Sequence, residues 1–201
     1  MKLLLLPLLV LVVPLAQPAS AQRSSAASTS TASGNPAADS MQRKVERIQS
    51  NAQHPLSSPV TTVITEQEVN AYVASSHVRL PVGVQSVRFS GVPGVISSAS
   101  RIDFDQLTSG QQSSNPMLGL FRGIHDVTVS AQARGAAGIG EVHVNTVELD
   151  GIEVPRFVLQ MFVDHYLKPK YPEVGLDTRF RLPARIDSAT IGEHKFTVVQ
   201  K

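Results

Sequence analysis

The sequence predicts an α+β domain in which a strongly curled antiparallel sheet of about six strands wraps around an apolar helix, with one one-sided amphipathic helix beside it. Three observations carry that expectation. Between Val84 and Asp150 apolar side chains recur every second residue, the period of a half-buried strand. Connections are short and no strand–helix alternation repeats, which favours an antiparallel meander over βαβ units. The stretch Arg156–Lys168 is helical in pattern but apolar on too many sides. At 100° per residue Val158, Leu159, Met161, Phe162, Val163, Tyr166 and Leu167 cover roughly 240° of arc, against about 100° for a helix lying on one core. Only Gln160, Asp164 and Lys168 form a polar wedge. Such a helix needs cover on several faces, from a curled sheet, a second subunit or a greasy ligand.

The chain begins with the marks of an export signal. Lys2 supplies the positive start, Leu3–Leu15 an apolar run interrupted by Pro7 and Pro14, and Ala19-Ser20-Ala21 a small-residue cleavage site. The run is short for a membrane span, which takes about 20 residues. Residues 1–21 are therefore expected to be removed. There is no cysteine, so neither a lipid anchor on a new N-terminal cysteine nor a disulfide is expected, although an oxidising compartment would permit one. Loss of Lys2 leaves 17 of the 18 basic side chains against 16 acidic ones. That balance, with scattered basic residues and no Trp, argues against nucleic acid as a partner.

Residues 22–59 are expected to form a disordered Ser/Ala-rich spacer, since Arg23–Ser40 has scarcely an apolar side chain larger than alanine. A short helix at 41–51, with Met41, Val45 and Ile48 on one side, is the one exception considered. Residues 60–201, about 140 in all, suffice for a single domain with its own core. Val60–Ile64 reads as a first strand. Thr65 and Glu68 form a capping box, and Ile64 staples onto Val69 across it. Val69, Tyr72, Val73 and Ser76 then share one flank, giving the one-sided helix. Val87 and Phe89 share a face before the turn at Gly91–Gly94. Ile96, Ser98, Ser100, Ile102 and Phe104 form the inner face of a long strand, with Arg101, Asp103 and Asp105 outside. His125–Gly135 alternates cleanly, and the phase slip near Asn145–Thr146 within Glu141–Asp150 predicts a β-bulge. Arg185–Ile191 and Lys195–Gln200 form a last hairpin.

Chemistry-bearing patterns are sparse, and no catalytic residues are expected. Six histidines, at 54, 77, 125, 143, 165 and 194, fit no metal spacing. His165 lies within the apolar arc, either as a hydrogen-bonded core histidine or as a polar contact to a ligand head group. Asp103-Phe104-Asp105 superficially matches a metal-binding DxD, but a solvated sheet face accounts for it. No serine sits in GxSxG. Gly135–Gly140 joins two strands and offers no helix N-terminus to a phosphate. Neither a metal nor another cofactor is implied.

Asn115 is placed to cap a brief helical turn bearing Met117, Leu118, Leu120 and Phe121. These four either tuck onto the core or serve as a gate over a pocket or a membrane-docking loop. Small inward residues, Ala131, Ala133, Ser98 and Ser100, either let helix and sheet approach closely or leave a tunnel.

The phrases ITEQEVNAYV, LPVGVQSVRFSG, VISSASRIDFDQL, VHVNTVELDGIEVP and FRLPARIDSATIGEHKFTVVQ, in that order over Thr65–Lys201, resemble secreted bacterial proteins similar to the lipomannan elongation factor family. That resemblance implies the tubular lipid-binding architecture, a curled sheet around a long helix with lipid between them, and it carries over no catalytic residues. The expected function is an exported, periplasmic or secreted carrier for lipid or another apolar ligand. Its expected ligand-binding residues are Phe104, Val129, Ala131, Val144, Val158, Met161, Phe162, His165 and Tyr166. The alternative is an envelope scaffold that uses the same apolar surface for homo-oligomerisation. An enzyme acting on lipid or glycan would need a nucleophile–base pair or metal set that no pattern supplies.

Overall fold

A computed structural model describes residues 35–54, 56–108 and 114–201 of the 201-residue chain. The expected signal peptide and the first part of the expected spacer lie outside the described residues. The rest is α+β, built on one antiparallel sheet of nine strands. They are β1 Val60–Thr65, β2 Val84–Val92, β3 Val95–Asp103, β4 Ile124–Ala136, β5 Ile139–Leu149, β6 Ile152–Glu153, β7 Asp177–Arg181, β8 Ile186–Gly192 and β9 Lys195–Gln200. Strand order runs β1-β9-β8-β4-β3-β2, with β5 on the other side of β4 and β6 and β7 on β5.

The expected wrapping is corrected here: the sheet is neither closed nor strongly curled. Strand β4 explains why. Its first nine residues pair with β3, and Gly135 then takes β8 as partner past the end of that strand. A Cβ on Gly135 would sit 2.9 Å from the Ala189 backbone nitrogen, so only glycine permits this junction. The sheet thus forks along β4 instead of rolling up. The bulge expected near Asn145 is present, since Ser130 pairs with Thr146 and Ala131 with Val144, leaving Asn145 unopposed.

Among the described residues four α-helices accompany the sheet: α1 Pro36–Gln53, α2 Glu66–Val73, α3 Phe104–Leu107 and α4 Arg156–Phe162. Helix α1 corrects the expected spacer over 36–53 and is longer than the helix considered at 41–51. Asn35 caps it and Pro36 occupies its first turn, where a missing N–H costs nothing. Composition argues against order in its first residues, but Met41, Val45 and Ile48 bury against Ile64, Val69 and Tyr72 of β1 and α2. That burial overrides weak local propensity. The far end of α1 is held by the wholly buried Gln200, whose amide donates to the Ile48 and Ala184 carbonyls and accepts from Asn51. Helix α2 keeps its capping box, with Thr65 Oγ1 accepting from the Glu68 N–H and Glu68 accepting from the Thr65 N–H.

Helix α2 also closes the free edge of β2. The Asn70 side chain bonds both the N–H and the C=O of Phe89, Glu66 accepts from the Gly91 N–H, and the His194 N–H donates to the Gly91 carbonyl. A naked strand edge is a template for unwanted pairing, and these contacts remove it. Two cores result, one under α4 and one under α1 and α2, and Phe89 and Phe196 pack against both.

Candidate functional site

Helix α4 lies across the larger core. Val158, Leu159 and Phe162 of α4 are buried, with Val163 and Tyr166 of the turn that continues it, and at ordinary helical spacing the five fall within about 140° of arc. The expected cover on several faces is met only in part: Met161 and Leu167, both half-buried, pack on the same core, while the flank bearing Phe157 is wet. Phe157 is 58% exposed and His165 is exposed as well. The cause is partly a π-helical turn over Val163–Leu167, in which the Lys168 N–H reaches back to Val163. A wider turn advances fewer degrees per residue, so His165 stays outside while Tyr166 turns inward. His165 neither joins the core nor faces a ligand seat, and its ring packs edge-on against Tyr166.

Between α4 and the sheet lies an apolar cavity of about 110 Å³. Four expected ligand residues meet there, Phe104, Val129, Val144 and Phe162, together with Phe121 from the expected gate. Ala131, Val158 and Tyr166 are buried in the same core but do not line the cavity. Met161 is half-buried against the same core without lining the cavity, and the Asn115 amide donates to its sulfur at 3.6 Å. Val174 and Leu176 also line the space. They escape the sequence expectations because the short strand β7 and its approach carry no clear alternation. Leu176 belongs there because its carbonyl accepts from Val144 N–H at 2.8 Å, beside the bulge.

The aromatic cluster forms the wall. Phe162 packs tilted against Phe121 at 4.2 Å between ring centroids, and meets Phe104 at 5.6 Å and Tyr166 at 5.3 Å. Phe104 does not end β3 as expected. Asp103 caps α3 by accepting from the Gln106 N–H, which swings Asp105 off the strand to accept from the Gly123 N–H. The DxD carboxylates thus have separate structural uses.

The expected gate divides. Asn115 caps a 3₁₀ turn, Pro116–Leu120, in which Leu118 and Phe121 are buried while Met117 and Leu120 are each 45% exposed. Val82, Met117, Leu120, Ile124 and Ile152, all exposed apolar side chains, lie at the end of the sheet where β2 and β4 begin and β3 and β5 end.

His125 fixes the return of this covering segment. Its Nδ1 contacts Asp150 at 2.6 Å and its Nε2 the Arg122 carbonyl at 2.7 Å. Both partners are acceptors, so both ring nitrogens must donate, which requires the imidazolium. The hydrogen bond to Asp150 accordingly raises the His125 pKa above its ordinary 6.5, against desolvation. The raised folded value means that this stabilisation is complete below the ordinary pKa and fades as pH rises through the folded one. An NMR titration is expected to place His125 above 6.5, with the Phe121 ring and Met117 methyl signals following the same curve. Covering-segment signals that ignore the histidine would remove its clamping role.

Among the described residues, no three His, Cys, Asp or Glu side chains are grouped to hold a metal, and no helix is long and apolar enough to cross a membrane. No protein-family model, curated protein or solved structure matches the chain.

Proposed function

We propose that the chain is an exported, non-catalytic binding protein for lipid or another apolar ligand, seated between α4 and the sheet. The observation that supports this is the apolar cavity bounded by Phe104, Phe121, Val129, Val144 and Phe162. Its cover is made of short pieces, α3, the 3₁₀ turn and α4. The resemblance to the lipomannan elongation factor family points the same way, on sequence phrases alone. The size of the space sets the terms. Drug-sized ligands occupy roughly 300–1,000 Å³, while a dry apolar hole of about 150 Å³ takes benzene. The space as it stands suits a small ring or the tip of a hydrocarbon chain. A full acyl chain requires the covering pieces to move outward, and the exposed Met117 and Leu120 would then meet the ligand or a membrane surface.

The test is mass spectrometry of lipid extracted from protein purified from its native host, with the same sample run in sedimentation. Co-purified lipid on a monomer is the expected result. Lipid-free dimers that dissociate on Phe157→Asp would instead establish the scaffold alternative, which the exposure of Phe157 on α4 favours. Phe162 cannot serve in that comparison, because it is buried and its replacement by a charge would disrupt the core.

A further inference from the structure

The outer face of the sheet, opposite the apolar core, carries a trough of about 460 Å³. Its wall is α2, through Asn70 and Ala74, and its floor comes from β2, β3 and β4. The double bond of Asn70 to Phe89 pins that wall to the strand edge. Small side chains make the space. Ser86, Ala99 and Thr128 lie on the floor, and Ala99 pairs with Arg88 on one side and Thr128 on the other. Alanine is a poor choice for an exposed central strand position, and any larger side chain there would fill the trough.

Three charged side chains line it: Arg88, Arg101 and Asp126. Ser86 pairs with Arg101 and Arg88 with Ala99, so the two arginines are diagonal neighbours on one face. Arg101 directs one nitrogen to Asp126 at 3.0 Å, which orients the guanidinium and leaves its other donors open. Arg88 makes no hydrogen bond or ion pair within the described residues. Arg134, further along the same face of β4, is instead paired to Glu141. The trough is thus a net-positive recess with two planar forks and two hydroxyl groups, a donor set that matches an oxyanion attached to a polar body.

We propose that this trough is a second binding site, separate from the apolar seat, for a small ligand bearing a phosphate or carboxylate group held by Arg88 and Arg101. The oxyanion could belong to a soluble compound or to a lipid head group, and the test separates them. The full chain is titrated by NMR with inorganic phosphate, glucose 6-phosphate and glucuronate, and separately with phosphatidylglycerol vesicles. Saturable shifts of Ser86, Arg88, Ala99 and Thr128 in the millimolar range or tighter are expected from at least one probe. Arg88→Gln is expected to weaken binding at least about tenfold, and Ala99→Leu to block it with both arginines retained. Arg134→Gln should leave it unchanged. All three positions are exposed, so the fold is retained. Response to vesicles alone assigns the oxyanion to a lipid head group, and response to soluble probes assigns it to a free compound. Absence of saturation with every probe overturns the site, as do identical shifts in the Arg88→Gln and Ala99→Leu variants.

Discussion

Phe162→Ala is expected to lower the unfolding free energy by about 3–5 kcal/mol, a large share of the roughly 5–15 kcal/mol that holds a domain together. The ring touches Phe104, Phe121 and Tyr166, and it bounds an existing cavity. Truncation therefore removes burial, removes aromatic contacts and enlarges a space the surroundings cannot collapse to fill. Urea denaturation provides the measurement. Phe157→Ala, five positions earlier on the exposed flank, is expected to change stability by no more than about 0.5 kcal/mol. Equal losses at the two positions would mean that the outer flank of α4 is covered in solution, restoring a helix sheathed on several sides. A loss near 1 kcal/mol at Phe162 would mean that the seat is already loose.

Acid is expected to release α1. Glu68 is buried at the α1–α2 contact, and desolvation pushes its carboxyl up. Hydrogen bonds from Lys44, Ser40 and the Thr65 N–H, with the charge of Lys44, outweigh that and hold it at about 2. A folded pKa depressed from 4.5 contributes stability that is complete above pH 4.5 and fades as pH falls toward 2. Allowing for the water that reaches the Lys44 end, the contribution is about 2–3 kcal/mol. Stability measured by denaturant from pH 6 to pH 3 should fall by most of that amount, with amide protection lost first along Met41–Ile48. In Glu68→Gln the same fall should be largely absent and the starting stability lower. A wild-type curve flat over that range would show that the Lys44–Glu68 contact adds nothing to folding.

Local patterns with a fixed period or a fixed chemistry are legible in the sequence. The Thr65–Glu68 capping box, the bulge at Asn145 and the Asn115 cap all depend on neighbours within a few residues, and all are present. Features set by distant partners are not legible. Nothing near Pro36 signals a helix that is stabilised chiefly by β1 and α2. The π turn depends on how α4 meets its neighbours, so uniform 100° steps misplace His165. The fork of the sheet rests on Gly135 accepting Ala189, which lies 54 positions later. At the apolar cavity, Phe104, Val129, Val144 and Phe162 are legible as inward positions, whereas Val174 and Leu176 reach it from the irregular segment before β7. The outer trough escapes the sequence expectations because Arg88 and Arg101 meet only through strand pairing.

The lock of Gln200 on Ile48 joins positions 152 apart in the chain. Helix α1 precedes that anchor by the whole sheet, so Gln200 can grip it only once β1 to β9 have all been made. Final seating of α1 is thereby postponed until the β8–β9 hairpin has formed.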